Sequence, residues 1–446
     1  RFLVVLGAGT LTPPRSSAHW IATGRPEQPR NPHGWARPLR RERPRNLHRS
    51  CSVRRAESPS FLFSLQGSRL PEITLRDVGD PEAELEAVLK SIAMQDEPEL
   101  VIRGGELLAP RLMRAAADGV VLPESGDWKL EVAEKGRLDR FVATEVLEEP
   151  LAAGAVRIEV HAAGVNFRDV LNALGMVPIP WLGLEVAGIV TEIGEGVEHV
   201  QVGSRVLGMG QATFSSATVA DGRLLTPIPE GMSFEEAACV CETYITAYLN
   251  VFMLGRLKNS ETVLLHGGGG GVNTAGIQLC KTLMPNVKII VTASPGKIHR
   301  VESLGADHVI NYKETDFADA IRNITNKKGI NVILDHIGGG YLTQNLKCLA
   351  VGGRLVIIGL MGGNKSEVNL GPLMVKRQQI IGSVLRSRTV DEKTTITKEF
   401  SQTVLPLFSK GLIKPLIHQI LPLEDVGEGH RIMEASQHFG KIVLTL

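Results

Sequence analysis

Between Thr262 and Gln278 the chain changes its pattern twice. Thr262-Val263-Leu264-Leu265-His266 is a short apolar run, Gly267 to Gly271 are five consecutive glycines, and Val272 to Gln278 opens a helical pattern. A strand that breaks through glycines into a helix start offers bare backbone N–H groups to a phosphate. Gly267, Gly270, Gly271 and Val272 are therefore candidate cofactor-binding residues, with a flexible linker as the plain alternative for a glycine run. A second apolar run follows at Val287 to Thr292, with further strands expected near Asp307–Asn311, Asn331–Asp335 and Arg354–Gly359. Strands alternating with helical stretches of 10–15 residues predict an α/β fold with a doubly wound parallel sheet.

Upstream, Trp128 to Pro229 is patterned differently. Short alternating segments such as Val156–Val160 and Gly188–Ile193 are punctuated by Gly and Pro, which predicts a compact antiparallel β domain. The segment Ile413–Leu446 returns to strand-like and helical pieces. It ends in Gly440-Lys441-Ile442-Val443-Leu444, which is expected to add a last strand back onto that first domain.

Charge separates off the beginning of the chain. The formal net charge of +1 conceals twelve arginines and no lysine in residues 1–60, against Glu27, Glu42 and Glu57. That segment carries +9 and the rest −8. It also holds eight of the 24 prolines and shows no sustained periodicity, so residues 1–70 are expected to be disordered. An Arg-rich, acid-poor leader fits organellar import, while a cytoplasmic chain is the simpler expectation; the true start is expected to be missing, since residue 1 is Arg. Aromatic residues are too sparse among the arginines for nucleic-acid binding to be expected. No apolar run approaches the ~18 residues of a membrane span. Cys51, Cys239, Cys241, Cys280 and Cys348 are scattered and odd in number, which fits a reducing compartment rather than a disulfide framework.

No Asp or Glu closes the second apolar run, where a carboxylate would hold the ribose 2′-hydroxyl of NAD. Ser294, Pro295, Gly296 and Lys297 offer a hydroxyl and a cation instead, which suits the 2′-phosphate of NADPH. The plain alternative is that Lys297 is a solvated lysine in the first turn of the next helix. Asn273 stands where the loop's last glycine is expected, and its side chain must point away from the strand or widen the contact. His266, at a strand end, reads as a packed histidine.

With Asn166-Phe167-Arg168-Asp169, Gly183-Leu184-Glu185-Val186-Ala187-Gly188, the glycine loop and Gly440-Lys441-Ile442-Val443 in this order, the chain resembles the medium-chain dehydrogenase/reductase superfamily. The resemblance covers residues 126–446 and is to the zinc-free branch of quinone and enoyl reductases. It implies a GroES-like, β-rich catalytic domain from residues 126–241 and 390–446. A Rossmann NADPH-binding domain is implied over 242–389, with the active site in the cleft between them and a homodimer formed by pairing Rossmann sheets. Residues 71–125 are then a linker or a remnant of an upstream synthase segment.

The first half, with Trp128-Lys129-Leu130 and Asn166 to Met176, is similar to enoyl reductase regions of modular type I polyketide synthases. From Glu242 on, with Asp335-His336-Ile337-Gly338-Gly339, Gly359-Leu360-Met361-Gly362-Gly363 and Leu385-Arg386-Ser387-Arg388, the chain is similar to free-standing NADPH quinone oxidoreductases. The resemblance brings in Gly338, Gly359, Leu360 and Tyr312 on the cofactor side. It places Asn166, Leu184 and Glu242 where related alcohol dehydrogenases carry the Cys, His and Cys of a zinc site, so no metal is expected. Lys297 and Glu314 match residues proposed as proton donors in related fatty acid synthases; Lys297 is assigned here to the cofactor, which leaves Glu314. A Tyr often found in polyketide enoyl reductases is replaced by Val177. Asn166 is the candidate for orienting the acceptor carbonyl by hydrogen bonding, with simple capping of the helix at Phe167 as the alternative.

The expected activity is hydride transfer from NADPH to an activated C=C bond or a quinone. The enoyl reductase domain of a type I polyketide or fatty acid synthase, acting on a substrate that is free or carrier-bound, is the second reading. A nucleotide-binding, non-catalytic scaffold is the third.

Overall fold

A computed structural model of the chain describes residues 119–147 and 149–446, together with the backbone of short strands before them. The chain divides into two compact units, 1–114 and 115–446. In the first, Phe61–Leu65 pairs antiparallel with Phe2–Leu3 and Ser52–Arg55, while Glu99–Arg103 runs parallel to Glu72–Arg76 and antiparallel to Glu106–Leu108. The rest of the segment expected to be disordered, and most of the stretch 71–125 expected to be a linker, lie outside the described residues.

The second unit contains both architectures expected from the pattern. Its catalytic sheet runs in the order Leu225–Pro227, Arg205–Met209, Glu185–Ile193, Ala155–Gly164, Lys441–Thr445 and Ile417–Pro422, with Ala217–Asp221 also paired to Ala155–Gly164. The alternation read from the sequence is the alternation of burial. Val156, Ile158 and Val160 face the core while Arg157 and Glu159 face outward. Val443, Leu444 and Thr445 pair antiparallel with Gly164, Ala163 and Ala162, so the last strand does return to the first domain.

The second sheet has six strands, all parallel, in the spatial order His308–Asn311, Lys288–Ala293, Thr262–His266, Ile330–Asp335, Leu349–Ile357, Gln379–Gly382. The order reverses at Thr262–His266, and ligands of such sheets bind at the carboxyl ends of the strands where this happens. Five of the strands follow the sequence pattern. The sixth, Gln379–Gly382, is a short, largely exposed edge whose four residues carry too little alternation to be read as a strand.

One expectation needs correction. Phe234 to Leu254 forms a continuous helical run of 21 residues with a mean hydropathy of 1.4, long and apolar enough to cross a membrane by length and composition. Thr243, Asn250 and the glutamates Glu235, Glu236 and Glu242 interrupt its apolar residues in sequence, which hid it. Its side chains are mostly buried inside the fold, where Tyr244, Ile245 and Leu249 share one core with Ala275, Leu279 and Phe400. Two stretches of it, Cys241–Ile245 and Tyr248–Leu254, are π-helical, a geometry found often at functional sites.

Candidate active site

The cofactor side is built from backbone. Gly267 takes φ +77°, and its N–H donates to Thr292 O at 3.0 Å and Thr292 Oγ1 at 3.1 Å, which turns the chain sharply off the strand. A side chain at that φ would be strained. Gly270 caps the helix Gly271–Leu283, whose first N–H groups, at Gly271 and Val272, have no intrahelical carbonyl to bond. The loop is held from the far end of the chain as well: Gly440 N–H donates to Gly269 O at 3.0 Å, and a Cβ on Gly271 would lie 2.8 Å from Thr243 Cγ2 and 3.1 Å from Lys441 Cδ.

Asn273 neither points away nor widens the contact. Its amide is turned back onto the loop, donating to Gly267 O at 3.0 Å and to His266 O. The close approach of helix to strand falls one turn later, where a Cβ on Gly276 would sit 3.3 Å from Leu265 Cδ1. His266 is fully buried. Its Nε2 lies 2.8 Å from Asn345 Oδ1 and its Nδ1 3.1 Å from Thr292 Oγ1, and burial pushes its pKa down to about 3, so it is a neutral packed residue.

Ser294 ends the second strand and precedes the short turn Pro295–Lys297. Lys297 is not a solvated lysine: its stem lies over Gly269, where a Cβ would collide with it, and its Nζ is 3.5 Å from Ser436 Oγ. Burial, then the neighbouring Arg300, lower its pKa; burial chiefly, and then nearby cations that include Lys297, lower those of His418 and His438. A concentration of cationic side chains beside a glycine loop is the electrostatic setting a second phosphate needs. Gly338, at φ +79°, and Gly359 let two strand-end loops close on each other; a Cβ on Gly338 would meet Leu360 Cδ2 at 2.7 Å. Leu360 is exposed and Tyr312 is 40% exposed at the end of the edge strand. Glu314, just beyond Tyr312, is exposed and has no side-chain partner among the described residues. It follows the outermost strand, two strands from the one that ends in the glycine loop, and nothing joins it to Asn166.

The side on which Asn166 stands is built from side chains. Lys441 Nζ donates to Glu185 Oε1 at 2.6 Å, Val165 O at 2.8 Å and Asn166 Oδ1 at 2.9 Å; the side chains of Lys441 and Glu185 are 5% and 1% exposed. Glu185 Oε2 accepts from Glu242 N–H at 2.8 Å. Asn166 precedes the helix Phe167–Ala173, and its amide N–H groups donate to Gly164 O at 3.1 Å and Glu185 Oε1 at 3.0 Å. Both amide protons are therefore engaged inside the protein, so the expected role of Asn166 in donating to an acceptor carbonyl gives way to one of holding the Glu185–Lys441 pair. Asp169 is buried and accepts from Asn166 N–H and Gly183 N–H, each at 2.9 Å; burial raises its pKa to about 6.

Glu242 was noted in the sequence only for where it stands. Its backbone is fixed by Glu185, and its half-buried carboxyl has no hydrogen-bond partner among the described residues. Burial, and then the charge of Glu185, raise its pKa to about 8. The Glu185–Lys441 pair spans 256 residues and no local pattern signals it. The three places compared with a zinc site hold an amide already committed to the protein, the buried Leu184, and this carboxyl. They supply no thiolate or imidazole, so this donor set does not fit zinc.

Residues 152–247 match the alcohol dehydrogenase GroES-like domain, and residues 271–409 match the family described as zinc-binding dehydrogenase. The spectinabilin polyketide synthase system protein NorB of Streptomyces orinoci is 34% identical over 81% of this chain, and erythronolide synthase EryA2 of Saccharopolyspora erythraea 38% over 79%. The chain spans only 16% and 10% of those two proteins. Among solved structures, the CurK enoyl reductase has a TM-score of 0.65 at 30% identity, matching 72% of this chain and 99% of that one. Escherichia coli quinone oxidoreductase complexed with NADPH has a TM-score of 0.65 at 29% identity, over 72% and 100%. With both domains matched and an enoyl reductase aligned over nearly its whole length, the chain belongs to the medium-chain dehydrogenase/reductase superfamily.

Proposed function

We propose that the chain is an NADPH-dependent reductase of acceptors in which a C=C bond is conjugated to a carbonyl, enoyl thioesters and quinones being the two classes to compare. The observation that carries this reading is the meeting, at Thr243 and Lys441, of a phosphate-binding loop with a half-buried polar cluster that lacks a zinc donor set. Bound NADPH supplies hydride. The protein's own part is to hold the pyrophosphate at Gly270, Gly271 and Val272, to meet the 2′-phosphate with Ser294 and Lys297, and to present the acceptor to the Asn166–Glu185–Lys441 side of the cleft. A conjugated carbonyl takes up the negative charge itself, so its reduction depends less on a metal than alcohol oxidation does.

The likeness to polyketide synthase proteins favours enoyl thioesters, carrier-bound or free, and the likeness to the NADPH-complexed quinone oxidoreductase favours quinones. We also propose a homodimer through the edge strand Gln379–Gly382, beside which Leu370, Met374 and Val375 are exposed. The test is NADPH oxidation with 1,2-naphthoquinone and with a crotonyl thioester, after dialysis against a chelator. Turnover of either acceptor without metal supports the reading. NADPH binding with no turnover of either would leave the non-catalytic scaffold as the better account.

A further inference from the structure

Two residues after Asn166 stands a cation that forms no ion pair among the described residues. Arg168 is half-buried, its Nε is shielded from solvent without a hydrogen-bond partner, and it forms no ion pair among the described residues. Arg386, on the loop after the sixth strand, has the same orphaned Nε, and Lys393, on the helix Val390–Thr403, also lacks an ion pair. The three lie within electrostatic reach of one another's site: Arg168 and Lys393 both feel Arg386, and both feel Glu242. Buried polar groups without partners are uncommon and call for a reason. Two unpaired guanidinium groups and an ammonium brought together raise the local positive potential, a disadvantage for folding unless a negative charge appears there during function.

Resting on the reductase reading above, we propose that Arg168 is a catalytic residue that receives the negative charge developing on the acceptor's carbonyl oxygen, with Arg386 and Lys393 raising the potential at that point. When hydride adds to the β-carbon of an enoyl thioester, the C=C electron pair moves to form an enolate and the charge settles on the thioester oxygen. A proton from water then completes the α-carbon. In a quinone the charge likewise settles on oxygen. A guanidinium already in place, in a site of reduced water content, stabilises that oxygen without reorganising.

Glu242 is the group that sets the pH range. The charges within reach of its carboxyl are those of Arg168 and Asp169 on the helix Phe167–Ala173, Glu185 on its strand, Lys441 on the last strand and Lys393 on Val390–Thr403; Cys239 and Cys241 share its own helical run, and Arg386 acts on Arg168. Below about pH 8 its carboxyl is protonated and leaves the charge of Arg168 available. As pH rises through that value the carboxylate forms and competes with the substrate oxygen for Arg168.

The test uses acetoacetyl-N-acetylcysteamine, whose enolate has its own ultraviolet band, titrated with the full chain without cofactor. We expect the bound ligand to enolise at least ~10-fold more readily than the free one at pH 7. Arg168→Gln should abolish that effect and lower kcat for a crotonyl thioester by roughly 10²–10³-fold, while the Kd for NADPH, read separately, reports that the variant is folded. Arg168→Lys should restore part of the enolate band. Should Arg168→Gln not fold, Glu242→Gln decides: the bound-to-free enolisation ratio should fall above pH 8 in the unsubstituted chain and stay level in that variant. An enolate band and kcat unchanged in folded Arg168→Gln, or a ratio that passes through pH 8 identically in both proteins, would overturn the proposal. Failure of the unsubstituted chain to turn over any acceptor would instead count against the reductase reading, since the enolate titration needs no turnover.

Discussion

The two sides of the candidate site are made in opposite ways. On the cofactor side the binding surface is main chain: glycines at positive φ, helix-start N–H groups, and a buried hydrogen-bonded network in which His266, Asn345 and Asp335 hold the strand ends. On the side proposed for the acceptor it is charge. A lysine and a glutamate, both nearly inaccessible, are locked together by an asparagine, and Arg168, Arg386 and Lys393 form no ion pair among the described residues. A site made of backbone shape recognises what all nicotinamide cofactors share, whereas a site made of buried charge depends on each partner being present. Substitutions on the two sides should therefore fail differently, the first in affinity and the second in stability and chemistry.

The sharpest contrast is expected at Lys441. Lys441→Met leaves Glu185 buried with only neutral donors, and breaking a buried pair from one side destabilises by about 3–5 kcal/mol. Urea unfolding of this variant beside the double variant Glu185→Gln/Lys441→Met measures it, the double being the milder. Equal stability of Lys441→Met and the unsubstituted chain would show that the two sides are not built differently. On the cofactor side, Lys297→Ala should change folding little. It should remove most of an NADPH-over-NADH preference of at least tenfold, about 1.4 kcal/mol. Equal dissociation constants for the two cofactors in the unsubstituted protein would remove Lys297 and Ser294 from that role.

The third difference is one of pH dependence and belongs to Glu242. Its pKa is raised by burial to about 8 from an ordinary 4.5. Between those values the unfolded chain has released the proton and the folded chain still holds it, so the group's contribution to stability declines as pH rises across that window. Melting temperatures at pH 5 and pH 8 should therefore differ less in Glu242→Gln than in the unsubstituted chain. An identical pH dependence in the two would mean that Glu242 ionises normally in the fold.

The same contrast explains what the sequence disclosed. Glycine runs, strand alternation and the missing acid after Val287–Thr292 are local signals, and they located the parallel sheet, the loop and the cation at Lys297. Asn273 was read as a defect because glycine was expected there. Only the fold shows its amide closing the loop while Gly276 makes the close contact. Asn166 was singled out for its residue type, but its bonds to Glu185 and Lys441 span 19 and 275 residues, so whether its N–H groups were free had no local trace. Arg168 and Glu242 were legible as letters of motifs. Their isolation from partners is a three-dimensional property.

The strand Lys441–Thr445 closes the catalytic sheet, and the residue before it fastens the glycine loop. Together with the ion pair, this ties completion of the site to the order of synthesis. On a ribosome adding roughly 5–20 residues per second, Glu185 emerges 256 residues before the cation that neutralises it. For roughly ten to fifty seconds the nascent catalytic half holds a carboxylate that cannot be buried, and its sheet lacks two strands. The Rossmann sheet, contiguous in the chain, is free to form within that interval. The ion pair and the last strand are thus the last parts of the site to become available.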